Sequence, residues 1–146
     1  MFTIRKAVQK DSGAIRSLIW KVHINPTGLN WRYFLVAVDE QDRVIATGQI
    51  KPHRDGTREL ASIATQADYR GQGLASAIIN RLLAENPPPL YLKCAEHMGP
   101  FYLRFYFRIL EPAEMPAEYA RDVRMLDRLR RTVAPNIGHL LVMKLD

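Results

Sequence analysis

Two glycines in the segment Arg70-Gly71-Gln72-Gly73 have the spacing of a loop that can bind an anion. A short apolar stretch precedes them, and a helical pattern begins near Leu74. Glycine lets the backbone turn tightly and approach a ligand closely, while the first turn of a helix offers N–H groups without intrahelical partners and the positive end of a dipole. The sequence therefore predicts a phosphate-binding loop, with an ordinary tight turn between strand and helix as the alternative.

Two common phosphate-binding motifs do not fit this loop. A P-loop would continue from the glycines into Gly-Lys-Ser or Gly-Lys-Thr, and Leu74 follows Gly73 instead. The dinucleotide-binding fingerprint requires a third glycine, which this segment lacks. A nucleoside triphosphatase or a dehydrogenase is therefore not expected.

Histidine and cysteine side chains give no pattern of metal ligands. The four histidines stand on separate predicted elements, at positions 23, 53, 97 and 139, and their spacing is not that of a metal site. Cys94 is the single cysteine, which excludes an internal disulfide and a zinc cluster of thiolates. We expect Cys94 to be a buried structural thiol and the protein to hold no metal.

The hydrophobic periodicity predicts the elements that position the loop. A strand at 3–8 precedes a helix capped by Asp11 or Ser12, and apolar β-rich runs at 33–38 and 44–50 indicate an antiparallel hairpin. A strand at 59–65 enters the loop, the following helix stops at the prolines of 87–89, and a short strand occupies 90–94. This strand–helix–strand order predicts a right-handed crossover between two parallel strands, which can splay to admit a ligand.

The remaining segments complete a mixed α/β pattern. We expect an aromatic-rich helix at 100–105, strands at 107–110 and 139–145, and between them an arginine-rich amphipathic helix around 121–131. Its arginines are expected on the solvated face, with a functional basic patch as the alternative.

Length and composition predict one soluble domain spanning 1–146. The chain has 146 residues, of which 47% are hydrophobic, enough for the core of a domain of this size. No apolar run reaches the ~20 residues that a membrane-spanning helix needs, and the first residues lack a secretory signal, so a cytoplasmic location is expected. The 21 basic and 15 acidic residues leave a net charge of +6, which suits phosphorylated cofactors and nucleic acid alike.

Two motifs resemble those of the GNAT superfamily of N-acetyltransferases. Arg70-x-x-Gly73-x-Ala75 resembles its acyl-CoA loop, Gln/Arg-x-x-Gly-x-Gly/Ala. The segment Phe-Tyr-Leu-Arg-Phe-Tyr-Phe at 101–107 is similar to the family's Phe-Tyr-x-x-x-Gly-Phe, with Tyr106 in place of the glycine. Since the order of elements also resembles the family along nearly the whole chain, the resemblance implies the GNAT fold: a mixed, mostly antiparallel sheet flanked by helices, with a splayed parallel pair at the cofactor cleft.

This resemblance also implies a cofactor and the residues that hold it. The cofactor would be acetyl-CoA or another acyl-CoA. Backbone amides would bind its pyrophosphate, and these belong to Arg70, Gly71, Gln72, Gly73, Leu74 and Ala75. The main chain of Ile63, Ala64 and Thr65 would hold the pantetheine arm in the manner of an added strand.

The resemblance further implies direct transfer of an acetyl group to a primary amine of an unidentified acceptor, a small molecule or a protein amino group. Glu59 matches the position of a general base, acting directly or through water, and Tyr102 matches a proton donor to the leaving thiolate. His53 and His97 are alternative bases, and core packing is the alternative role of Tyr102. A basic nucleic-acid or ribosome-associated module on the same scaffold remains the alternative function, and a homodimer remains open.

Overall fold

The computed structural model describes residues 1–136 and 138–146. These fall into two compact units, Met1–Pro87 and Pro88–Asp146. The expectation of one functional domain over 1–146 stays a prediction. Among the described residues, no helix combines the length and the apolar character that crossing a bilayer requires.

The first unit contains four strands and two helices. Its strands lie in the order β1-β2-β3-β4, and each neighbouring pair is antiparallel. The bounds are Thr3–Lys6 for β1, Ser12–Lys21 for α1, Phe34–Val38 for β2, Val44–Pro52 for β3, Arg58–Thr65 for β4 and Leu74–Glu85 for α2. The predicted hairpin at 33–50 and the strand that enters the glycine loop are confirmed.

Apolar faces of the two helices account for the core of this unit. Ile15, Leu18 and Ile19 recur at helical spacing in α1 and are buried in one cluster with Phe34 of β2. In α2, Ile78 is fully buried and packs closely on Gly48 of β3, where an added Cβ would lie 2.6 Å from its side chain. The glycine thus lets α2 approach the strands.

The start of α1 is fixed by an ion pair. The Asp11 carboxylate accepts hydrogen bonds from the backbone N–H of Val8 at 2.8 Å and from Arg5 Nη1 at 2.8 Å. The side chain of Arg5 beside it holds the pKa of Asp11 below its ordinary value. Asp11 is the N-cap of α1, but its carboxylate bonds to Val8 and Arg5 before the helix rather than to the N–H groups of the first turn, and β1 ends at Lys6 rather than at the predicted Val8.

The described residues of the second unit form three strands and two α-helices. Its strands lie in the order β5-β7-β6, again antiparallel. The bounds are Leu90–Ala95 for β5, Gly99–Leu103 for α3, Arg108–Ile109 for β6, Ala117–Thr132 for α4 and Leu140–Leu145 for β7. The predicted strand at 107–110 is thus only two residues long.

The arginine-rich helix is amphipathic, as expected. Tyr119 is its one fully buried residue among those described, whereas Arg124, Arg128 and Arg131 are exposed. Asp122 receives a 2.8 Å hydrogen bond from Lys93 of β5. Arg124, Arg128 and Arg131 therefore occupy the solvated face of α4, whereas Arg130 is partly buried.

Candidate active site

The glycine loop has the backbone conformation that an anion-binding turn requires. Gly71 and Gly73 both have φ of +79°, the left-handed region in which a side chain is strained. Gly73 is the N-cap of α2, and its carbonyl accepts the first intrahelical bond from Ala77 at 3.0 Å. The N–H groups of Gln72 and Gly73 precede the hydrogen-bond ladder of α2 and are available to a ligand.

The surroundings of the loop suit negative charge. Residues 70–73 are exposed, the first turn of α2 carries no acidic residue, and no side chain caps it. A cavity of about 200 Å³ adjoins the loop, and its lining includes Lys21, Arg70 and Asp68. Two cations against one carboxylate, together with the helix dipole, favour an anionic ligand.

A β-bulge lies in β4 just before the residues expected to hold a pantetheine arm. Ser62 and Ile63 together face the single residue Gly48, and Ser62 has a left-handed φ of 58°. The Thr47 hydroxyl donates to the Ser62 carbonyl at 2.8 Å, and Gln49 Nε2 donates to the Ser62 hydroxyl at 2.9 Å. Two buried polar side chains of β3 therefore fix the bulge, a feature that sequence reasoning missed.

Glu59 is paired with His53. The two residues approach at 2.7 Å between Nε2 of His53 and Oε1 of Glu59, and the side chains are only 12% and 6% exposed. Glu59 lies opposite Lys51 in the register of β3 and β4. The structure thus joins the expected base and one alternative base in one buried pair, while His97 is exposed in the second unit.

The loop between α1 and β2 is attached to the same strand. Gln49 Nε2 also donates to the Gly28 carbonyl at 3.1 Å, and Lys51 Nζ donates to the Thr27 carbonyl at 3.4 Å. Gly28 has a φ of +65°, and a Cβ there would lie 2.3 Å from Lys51 Cε. The alternation of Gln49, Lys51 and His53 in an apolar, β-rich run was the signal that could have identified this polar row.

Tyr102 is buried in the second unit. Its ring packs edge-to-face with Phe101 at 5.1 Å and with Phe107 at 6.5 Å between centroids. Burial, and to a smaller extent the negative charge that Cys94 would carry, raises the pKa of the Tyr102 hydroxyl. The phenol is therefore protonated at neutral pH and can donate a hydrogen bond.

Tyr106 has a left-handed backbone conformation, which glycine adopts more readily. Its φ is 71°, and its side chain is 87% exposed. A left-handed conformation is unfavourable for a bulky residue. The turn after α3 is nevertheless formed, and the Tyr106 N–H donates to the Leu103 carbonyl at 3.0 Å.

Cys94 is a buried thiol, as expected. Burial raises its pKa to about 11, and its sulfur lies 4.0 Å from the sulfur of Met143. A thiol in this state is a poor nucleophile at neutral pH. Within residues 1–136 and 138–146, no group of three His, Cys, Asp or Glu residues is arranged to hold a metal ion.

Comparison with known protein families gives one match. A model described as the acetyltransferase (GNAT) family matches residues 6–108. No curated protein matches the chain.

Solved structures similar to this chain show the GNAT fold. An acetyltransferase of the GNAT family from Staphylococcus aureus has a TM-score of 0.71 at 11% identity, with 100% of each chain covered. The Mycobacterium tuberculosis protein Rv2747, solved with CoA and a second ligand, has a TM-score of 0.71 at 23% identity, with 98% of each chain covered. The mixed, mostly antiparallel α/β class expected from the sequence is confirmed.

N-acetylglutamate synthase from Neisseria gonorrhoeae, complexed with coenzyme A and N-acetyl-glutamate, has a TM-score of 0.75 at 16% identity. All of this chain is covered, but only 35% of the synthase is. The chain therefore spans about a third of the length of that enzyme.

Proposed function

We propose that this chain, which belongs to the acetyltransferase (GNAT) family, transfers an acetyl group from acetyl-CoA to a primary amine. Acetyl-CoA is the acyl donor of the family. The observation that carries the proposal is the exposed loop with left-handed Gly71 and Gly73 at the uncapped start of α2.

The loop has room for the pyrophosphate of the cofactor. A Cβ at Gly71 or Gly73 would meet no protein atom within 4 Å, so the space over both glycines is open. In the proposal, the main-chain N–H groups of 70–75 bind the pyrophosphate, and the main chain of Ile63–Thr65 binds the pantetheine arm. The bulge at Ser62 supports the second assignment because bulges redirect a strand's main-chain groups.

Glu59 is proposed to receive the proton of the attacking amine. Its carboxylate is buried and bonded to His53, so the two side chains can share a proton that reaches either one. The pair lies at the start of β4, and the pantetheine residues lie at its end. An arm that follows β4 from the loop would therefore bring its acyl end toward Glu59.

Tyr102 is proposed to donate a hydrogen bond to the leaving sulfur. Its raised pKa keeps the phenol protonated over the whole physiological range. A thiol is more acidic than this phenol, so the phenol stabilises the departing sulfur chiefly by hydrogen bonding rather than by becoming a phenolate. This role rests on the residue's own environment and on the family resemblance of 101–107.

Thermal unfolding with and without acetyl-CoA tests the proposed function. A ligand present at a hundred times its dissociation constant adds about 2.7 kcal/mol to the free energy of unfolding, which corresponds to a rise of about 5–10 °C. We expect such a rise with acetyl-CoA and a smaller one with pantetheine, which lacks the pyrophosphate. The absence of any rise at millimolar acetyl-CoA would contradict the proposal.

A further inference from the structure

A row of polar side chains lies on one face of the β3–β4 hairpin. Gln49, Lys51 and His53 alternate along the chain, so they lie on the same side of the strand. Glu59 is directly opposite Lys51 and shares that side because residues paired across strands point the same way. The row therefore places a cation beside a carboxylate–imidazole pair.

Lys51 is the unneutralised member of this row. The lysine ion pairs found in the described part of the chain involve Lys10, Lys93 and Lys144. Lys51 is partly buried, and its ammonium donates a long hydrogen bond to a neutral carbonyl, that of Thr27. Glu59, its neighbour across the strands, is bonded to His53 instead. A partly buried cation in this position favours an anionic partner.

The neighbouring loop closes one side of this position. The carbonyls of Thr27 and Gly28 are held by Lys51 and Gln49, and Gly28 lies directly on the aliphatic stem of Lys51. Thr27 and Gly28 therefore cover one side of Lys51.

From this arrangement we infer that the acetyl acceptor is a free amino acid, whose carboxylate is bound by Lys51 while its amine faces Glu59 and His53. This inference rests on the proposed function. An amino acid carries its amine and its carboxylate on one carbon, and Cβ atoms of paired residues across strands are about 4.5–5.5 Å apart. The side chains of Lys51 and Glu59 can therefore contact the two groups together. A peptide amino terminus, whose nearest carbonyl belongs to an amide, would leave Lys51 without its anion.

The reaction balances without a further reactant. The amine nitrogen forms a bond to the carbonyl carbon of the acetyl group, the C–S bond breaks, and its electron pair leaves with the sulfur. The proton lost by the amine passes to the Glu59–His53 pair and from there to solvent, and the departing thiolate takes up one proton from solvent to give the free thiol.

Thiol release from acetyl-CoA in the presence of single amino acids tests the inference. The probes are L-amino acids, each compared with its decarboxylated amine at equal concentration of the unprotonated amine, such as lysine with cadaverine and leucine with isoamylamine. We expect at least one amino acid to react about tenfold or more faster than its amine, because a charged hydrogen bond contributes about 1.5–3 kcal/mol.

Lys51→Met provides the matching variant, since it keeps the aliphatic stem under Gly28 and removes the charge. We expect the KM for the reactive amino acid to rise about tenfold or more, with a much smaller change in kcat and with unchanged stabilisation by acetyl-CoA. Lys6→Met on β1 removes the same charge away from the row and should leave all values unchanged.

These outcomes distinguish a failure of the inference from a failure of the proposed function. If acetyl-CoA stabilises the protein but no amino acid reacts faster than its amine, or if the KM of Lys51→Met equals that of the wild type, the inference is wrong and the proposed function stands. If acetyl-CoA does not stabilise the protein, the proposed function fails and the inference fails with it.

Discussion

The glycine loop and the polar row of β3–β4 belong to the same unit, but the loop presents main-chain groups and the row presents side chains. In the loop, main-chain N–H groups are offered at a helix start, and the residues of 70–73 are exposed. In the row, buried or partly buried side chains make the contacts, as in the His53–Glu59 pair. We infer that the loop binds whatever carries a pyrophosphate, whereas the row selects and activates the acceptor.

This difference predicts opposite responses to substitution. A loop that binds through its main chain should tolerate changes of side chain except where a glycine is needed for conformation. A row that acts through buried polar side chains should be sensitive to the loss of one functional group. Substitutions in the row and in the loop test these two expectations separately.

Glu59→Gln should have the largest effect on turnover. Glutamine keeps the size of the side chain and can hydrogen bond to His53, but it does not accept the amine proton. We expect kcat to fall about a hundredfold or more with the most reactive amine of the acceptor series, and stabilisation by acetyl-CoA to be unchanged. The control is Glu85→Gln at the exposed end of α2. A kcat within about threefold of the wild type would remove Glu59 from the chemistry.

Cys94 has no proposed catalytic role, so the reactivity of its thiol reports on its burial alone. Because burial raises its pKa to about 11, about a hundredfold less thiolate is present in the folded protein than for a thiol of ordinary pKa near 9.0. Alkylation by iodoacetamide at pH 8 should therefore be slower by about that factor than in urea, and its rate should rise with pH up to about 11. Equal rates in folded and unfolded protein would contradict the burial of this thiol.

Tyr102→Phe should have a moderate effect. The change removes one hydrogen bond to the leaving sulfur and keeps the packing against Phe101 and Phe107. We expect kcat to fall about tenfold, the equivalent of roughly 1.4 kcal/mol, while the melting temperature stays close to that of the wild type. Tyr106→Phe, at an exposed ring, is the control. If both variants keep full activity, Tyr102 serves packing alone.

Gln72→Ala should have the smallest effect. The side chain is exposed, and the proposed contact of this residue is made by its backbone N–H. We expect the dissociation constant for acetyl-CoA to change by less than about twofold. A large loss of affinity would mean that side chains, and not the main chain, hold the cofactor at the loop.

The difference between the glycine loop and the polar row also explains what could be predicted from the sequence. The loop is a local motif, because Gly71, Gly73 and the start of α2 are consecutive, and its conformation follows from neighbouring residues. Most element positions were predicted for the same reason, since periodicity is a local property. The strand at 107–110 was predicted too long because its apolar run includes Phe107 and Leu110, which are buried outside the two paired residues.

The contacts made by the polar row could not be predicted because they depend on register. His53 and Glu59 are separated by a turn, and their contact requires the pairing of β3 with β4 that places Lys51 opposite Glu59. Gln49 contacts both Ser62 and Gly28, which are distant in sequence. A periodic pattern gives the side of a strand on which a residue lies, but not the partner that tertiary structure brings to it.

Acetyl-CoA binding to Gly73→Val, measured by titration calorimetry beside Gly56→Val, tests the central claim most directly. Gly56 has a similar φ of +88° and equally open surroundings but lies in the turn between β3 and β4. A valine at either position is strained, so the pair separates backbone strain from obstruction of the loop. We predict that Gly73→Val weakens binding about a hundredfold or more and that Gly56→Val changes it by less than about threefold. Equal, wild-type affinity in Gly73→Val would contradict a cofactor site at this loop.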